Sequence, residues 1–230
     1  LVMQTAGIGE YFLTTYFVSF FLAFVLAAII SRIPPISRKP DVFSNGKPQT
    51  DEDRKEAALK FGPSMFKAGV NRAAVRAHTS GDIFKRIVAS VKDSFPVLPK
   101  VITLLCSIGI LGMIVAKYTP VFDIIGYAFL PLTKILGVPD AQVAAAAIPT
   151  GITEMFIPVL TIADKVAELH IKTRFFVTVV SMVQIIFLAE SVVVIMNTGL
   201  PVKFKELMIV FLERTVIAMP FAALFMHILF

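Results

Sequence analysis

Glu154, Glu190, Glu213 and Arg214 interrupt runs of Leu, Ile, Val, Phe and Ala that otherwise hold few charges. The densest pattern is Pro149-Thr150-Gly151-Ile152-Thr153-Glu154, which follows the small-residue stretch Ala144–Ala147. Small residues let helices approach closely. Pro149 and Gly151 interrupt a helix, and interruption frees backbone N–H and C=O groups that lipid cannot satisfy. Such groups must be buried in protein or line a polar cavity. Discontinuous helices of transporters use their exposed ends to hold substrate or ion. Thr150 and Thr153 add hydroxyls there, and Glu154 adds a carboxylate. The plainer alternative is a proline kink with Glu154 in a loop.

Glu190 falls near the middle of the apolar run Phe175–Met196. An acid at membrane depth is costly and points to function by default. Ser181, Gln184 and Ser191 form a polar stripe at helical spacing, with Glu190 beside it. Glu190 and Asn197, seven apart, share a face. Glu190 has the chemistry to pair with a cation, relay a proton or touch a substrate; its alternative is an interhelical hydrogen bond. Arg214 is expected to meet Glu190 or Glu154, either as a structural ion pair or while holding an anionic substrate. Thr150, Gly151, Thr153, Glu154, Gln184, Glu190, Asn197 and Arg214 are therefore the candidate substrate- or ion-binding residues.

Catalytic chemistry finds less support. His78, His170 and His227 are far apart, no metal-ligand spacing is present, and no cofactor motif appears. Cys106 sits in an apolar run, where a thiol behaves as a small hydrophobe. There is no glycine-rich phosphate loop and no nucleophile elbow. An intramembrane enzyme using Glu154 or Glu190 is the remaining catalytic alternative. A carrier without metal or cofactor is the expectation.

The elements that must position these groups follow from composition. Of 230 residues 57% are hydrophobic and 17% charged, with a mean hydropathy of +0.81. A soluble domain is nearer half apolar and a quarter charged. Disorder, a disulfide scaffold and a typical soluble enzyme are excluded, and a polytopic membrane protein is indicated. The net charge of +6 is concentrated. Fourteen of the 22 Lys and Arg, against seven of the 16 acids, lie between Arg32 and Lys100. That block follows one apolar run and precedes others, as the positive-inside rule expects of a cytoplasmic loop. It lacks a nucleic-acid-binding motif.

Tyr11–Ser31 and Val97–Ala116 read as transmembrane spans, as do Phe175–Met196 and Leu207–Phe230. Between them, Pro120, Pro131, Pro139, Pro149 and Pro158 break region 118–163 into re-entrant or broken half-helices. Within the basic loop, Phe66, Val70, Ala73, Ala74 and Ala77 recur at helical spacing. So do Phe84, Ile87, Val88, Val91 and Phe95. Two basic amphipathic helices separated at Gly81 are expected, lying on headgroups or against the membrane body, with a soluble hairpin as the alternative. Ile33–Thr50 reads as a loop, and Asp51-Glu52-Asp53 as an acidic helix start.

Leu130-Pro131-Leu132-Thr133-Lys134-Ile135-Leu136-Gly137-Val138-Pro139, Ala144–Ala147 and Thr150–Glu154 resemble the Gate (nucleoside-recognition) domain. That domain is shared by concentrative nucleoside transporters, ferrous-iron transporter membrane domains and spore-maturation proteins. Thr5-Ala6-Gly7, the block Arg32–Asp41 and Leu212-Glu213-Arg214-Thr215 look like recurrent blocks of the YjiH-type subgroup, as do Gln184 and Glu190 in their apolar context. The resemblance covers essentially the whole chain. It implies a bacterial plasma (inner) membrane protein of transport function and the C-terminal half of a longer chain, since longer members carry an upstream hydrophobic half. It supplies no substrate.

The expectation is thus an all-α polytopic membrane protein. It has about four transmembrane helices, a broken region at 118–163 and cytoplasmic amphipathic helices. Its parts are a first transmembrane helix at 1–31, a basic cytoplasmic loop at 32–96 and a Gate-like membrane domain at 97–230. It is expected to carry a small solute, with ion coupling resting on Glu154 and Glu190. Its partners would be the lipid membrane, the solute, and an upstream half, a second Gate-domain subunit or a homo-oligomer, with no nucleic acid. The rival expectation is an accessory or assembly protein with no transport of its own.

Overall fold

The computed structural model describes residues 1–40, 42, 47–51, 63–79, 81–197 and 200–230. Glu52 and Asp53 of the expected helix start, and residues 41 and 43–46 of the expected loop, lie outside the described residues. The described chain is helical and without strands; Val42 and Pro48 form an isolated antiparallel bridge. It divides into two compact units, Leu1–Lys39 with Thr103–Phe230, and Pro40–Ile102.

The first unit opens with a short α1 (Val2–Thr5), a 3₁₀ turn at Gly9–Tyr11, and α2 (Phe12–Ile30). Nineteen residues give α2 about 28 Å, close to the ~30 Å hydrocarbon thickness. Thr15, Val18, Ser19, Leu22, Leu26 and Ile30 are buried on one face. The other face is apolar too. Phe12, Tyr16, Phe20 and Phe24 make an exposed ladder of ring contacts, each four residues from the next. A helix apolar all round, with its aromatics outward, suits a surrounding as apolar as its core.

α5 (Val97–Tyr118) begins in the last residues of the second unit and leads to α6 (Val121–Ile135), while α11 (Phe204–Leu229) closes the chain. Among the described residues three stretches are long and apolar enough to cross a membrane: Gly9–Ile30, Val101–Tyr118 and Phe204–Leu229. The fourth expected span is not one continuous helix. Run Phe175–Met196 is divided into α9 (Ile171–Gln184) and α10 (Ser191–Asn197), separated by six non-helical residues. At the division Ile185 has φ of 42°. A β-branched residue adopts that conformation only when its surroundings impose it, at a cost of about 1–3 kcal/mol. The polar stripe expected over Ser181, Gln184 and Ser191 is accordingly shared between two helices.

α9 is the hub. Phe175 through Val180 are all buried, and α9 packs on α2 and α11. Thr178 and Ser181 inside it donate their hydroxyls to the carbonyls of Arg174 and Thr178. One end of this unit is marked by Arg174, whose Nη1 donates to the Gly7 carbonyl at 3.0 Å, and by Tyr11 and Phe175, both in ring contact with Phe230. The other end is marked by the Lys39–Glu206 ion pair at 2.6 Å, which joins the exit of α2 to the start of α11.

Region 118–163 contains more regular helix than its prolines predict. Pro131 sits inside α6 without ending it. The short pieces come after it, as α7 (Ala141–Ala147), a 3₁₀ turn at Ile148–Ile152, and α8 (Ile157–Ile162). α6 and α7 lie tightly together, because a Cβ at Gly126 would stand 2.8–3.0 Å from the backbone of Ala145 and Ala146.

In the second unit, α3 (Pro63–His78) and α4 (Ile83–Ser94) are separate helices with a turn at Gly81 between them, as the amphipathic spacing predicts.

Gly126→Val is expected to force α6 from α7 and lower stability by about 1–3 kcal/mol. Gly109→Ala, whose added Cβ meets nothing within 4 Å, serves as the neutral control. Thermal unfolding in detergent reads both, and equal melting of the two variants would refute the close packing.

Candidate functional site

The α7–α8 pair is a hairpin that enters and leaves at one end of the first unit. Asp140, just before α7, accepts from the His170 N–H at 2.9 Å, and its own N–H donates to the Thr173 hydroxyl at 3.1 Å. After α8 the chain returns through Ala163–Lys165 to Val166, which lies against Gly7. Both limbs therefore sit at the end marked by Gly7, Thr173 and Arg174. With 1.5 Å per residue in α7 and ~2 Å in the 3₁₀ turn, the first limb reaches in by about 20 Å. Its tip is Thr150–Glu154.

That tip meets the gap between α9 and α10. The N–H of Leu188 donates to the Ile152 carbonyl at 2.7 Å, and the N–H of Ala189 donates to the Thr153 carbonyl at 3.1 Å. Two interrupted segments thus satisfy part of each other's freed backbone. Gln184 ties the junction further: its Nε2 donates to the Ile148 carbonyl and to the Thr215 hydroxyl, both at 3.1 Å. One buried amide therefore links the hairpin, the end of α9 and α11. Its Oε1 lies against Gly151 and has no hydrogen-bond partner among the described residues. Any side chain at Gly151 would collide with it.

Thr150 is buried, and its hydroxyl donates to the Ala147 carbonyl at 2.6 Å; the Thr153 hydroxyl donates to the Thr150 carbonyl at 2.6 Å. Both hydroxyls thus stabilise the turn. Half-buried Glu154 accepts from the Phe156 N–H at 2.6 Å, which meets a freed amide at the start of α8. Glu190 is exposed, and its carbonyl accepts the Val194 N–H in the first turn of α10. Glu154 and Glu190 each follow a member of the Thr153–Ala189 backbone pair, so the two carboxylates come from neighbouring points of the chain. Asn197 ends α10, about 10 Å along the helix from Glu190; its side chain lies outside the described residues.

Arg214 departs from expectation. It is 4% exposed, yet it pairs with neither Glu154 nor Glu190 among the described residues. Its Nε donates instead to the carbonyl of Val183. The last carbonyls of a helix carry partial negative charge, so a guanidinium is favoured there. The physical reason for the difference is the break itself. A continuous Phe175–Met196 helix would have no carbonyl to offer, whereas α9 ends where Arg214 can cap it. Nη2 of Arg214 and Oε2 of Glu213 are buried without partners among the described residues.

A cavity of about 660 Å³ adjoins the hairpin, and buried Thr150 forms part of its wall. Lys117, Asp123, Gln142, Asp164 and Lys165 also line it. That volume is in the range of small-molecule sites. Apart from Thr150, these residues are not among the sequence candidates. They stand at the ends of α5, α6, α7 and α8, and no spacing in the sequence shows that those ends converge. Thr215 is also missed, since one hydroxyl beside a charged pair carries no signal.

Fold and site together define, among the described residues, a helical protein with three helices apolar enough to cross a membrane and a hairpin whose tip meets an interrupted helix. No protein-family model and no solved structure matches it. The chain is similar to an uncharacterized protein of Alkalihalophilus pseudofirmus, with 30% identity over 231 residues. The match takes in 100% of this chain and 48% of that protein, so the chain spans about half the length of the curated relative it matches.

Gly151→Ala and Gln184→Ala are each expected to destabilise the protein, the second by about 1–3 kcal/mol through the unpaired Ile148 carbonyl. Combined, they should cost less than their sum, because removing the amide makes room for the new methyl. A coupling of about 0.5–3 kcal/mol in a double-mutant cycle is expected; strict additivity would show that the two residues do not touch.

Proposed function

We propose that the chain is part of an integral membrane transport protein for a small polar solute. The observation that carries this reading is the meeting of the hairpin tip Thr150–Glu154 with the gap between α9 and α10. Non-helical backbone at membrane depth is tolerated where it is buried in protein or lines a cavity. Paired interruptions of this kind are where secondary transporters hold their cargo. The adjoining 660 Å³ cavity supplies the space, and the resemblance to Gate domains points the same way.

In this reading the solute approaches through the cavity and meets the tip. Glu154 and Glu190, two like charges from neighbouring points, supply a place for a coupling cation or proton. Arg214 holds α9 at its interrupted end. Arg32, Arg38 and Lys39 cluster at the end away from the hairpin mouth, which supports a cytoplasmic side for that end under the positive-inside rule. The cavity then opens on the opposite side of a bacterial plasma membrane. An upstream half, a second Gate-type subunit or a second copy completes the carrier.

One observation favours the rival reading of an accessory protein. Gln184 and Arg214 both donate to backbone carbonyls, as residues that only hold helices together do. Such bonds contribute about 0.6 kcal/mol on average inside membranes.

Reconstituted full-length protein separates the two. Uptake is measured against a panel of nucleosides, dipeptides and organic acids, with and without Na⁺ and proton gradients. Saturable uptake of at least one solute is expected, with its ion dependence lost in Glu190→Gln. Unchanged ion-driven uptake in that variant would remove Glu190 from the site. A folded protein that carries no solute in the panel would favour the accessory role.

A further inference from the structure

Helix α4 leaves one whole face uncovered. Phe84, Ile87, Val88, Val91 and Phe95 follow the helical repeat, and all are exposed, Phe84 at 74% and Phe95 at 71%. Asp82 caps the helix through the Phe84 N–H at 3.0 Å, so the helix has a defined start. At 100° per residue, Lys85 and Lys92 share one border of the apolar face. Among the described residues neither forms an ion pair with an acid. Residues 63–94, which hold α3 and α4, carry six Lys and Arg against two acids. Only Phe95 and Pro96 separate α4 from the start of α5, which contains the apolar stretch Val101–Tyr118.

We propose that α4 lies in the interface of an anionic membrane leaflet, with Phe84, Val88, Val91 and Phe95 in the acyl boundary and Lys85 and Lys92 at the phosphates. A helix with one apolar face and lysines at its border fits that position, because the long lysine stems bury their methylenes while their ammonium groups stay in the headgroups. The charge excess selects the lipid. Each Lys or Arg near an anionic surface adds about a five-fold gain in binding, while a zwitterionic surface gives none. The short link to α5 holds α4 at the boundary, so docking needs no search through solution. α4 thereby reads the charge of the leaflet. This docking is independent of whether the chain carries a solute.

This chain has no tryptophan, so the emission that Phe84→Trp adds over the same protein without the substitution reports on the apolar face. Full-length protein is placed in nanodiscs of phosphatidylcholine with and without phosphatidylglycerol, some with brominated acyl chains. With phosphatidylglycerol the emission is expected to shift to the blue and to be quenched by bromine. Without it, or at high salt, both effects should fade. Lys85→Gln and Lys92→Gln in the reporter background should each weaken docking about five-fold. A water-like, unquenched emission in both lipids would overturn the proposal by showing a bare face. A blue-shifted but unquenched emission in both would overturn it by showing that protein covers the face. Val91→Trp repeats the measurement should Phe84→Trp fail to fold.

Discussion

Backbone amides and carbonyls that leave a helix in an apolar surrounding have no water to turn to, so protein groups must meet them. Most of the first unit follows from that demand. Beside α9 the chain leaves α-helical geometry at Ile148–Phe156 and at Ile185–Glu190. Each departure answers part of the other's need through the Leu188–Ile152 and Ala189–Thr153 bonds. Side chains meet more of it: Glu154 at the Phe156 amide, Gln184 at the Ile148 carbonyl, Arg214 at the Val183 carbonyl, and the Thr150 and Thr153 hydroxyls at the Ala147 and Thr150 carbonyls. Remove either interruption and the other loses its partners.

This arrangement explains why the packing around α9 is dense. Between helices in lipid the hydrophobic effect offers little, since acyl chains are as apolar as leucine. Close fit and polar bonds must hold the elements instead. The small residues of α7 let it lie against Gly126 of α6, and the buried amide of Gln184 joins three elements. α2 shows the complementary condition: one face packs on α9, while the phenylalanine ladder on the other needs no protein partner.

Composition and charge placement make the helical class legible, and prolines and glycines locate the first break. Pro149 and Gly151 announce the hairpin tip because their backbone preferences are local properties. The second break is hidden because no local property marks it. Ile185 is a poor residue for a positive φ, and the sequence Ile185-Ile186-Phe187-Leu188 reads as plain helix. Only the hairpin tip, brought beside it by the fold, makes the break favourable. The same distinction explains Arg214. Its charge is visible in the sequence, but its partner is a carbonyl that exists only once α9 has ended. The cavity residues Lys117, Asp123, Gln142, Asp164 and Lys165 are individually unremarkable charges and amides near helix ends. Their convergence is a tertiary fact.

The hairpin begins and ends beside Gly7 and Arg174, and this bears on how such a protein is made and how its lineage can vary. A segment that dips in and returns adds nothing to the parity of crossings. In the proposed membrane arrangement, the helices downstream would keep the orientation they have without it. During biosynthesis α9 and α11 can be oriented by their flanking charges while the hairpin folds in afterwards against the finished scaffold. Over evolutionary time the tip can be lengthened, shortened or exchanged without turning the rest of the chain inside out.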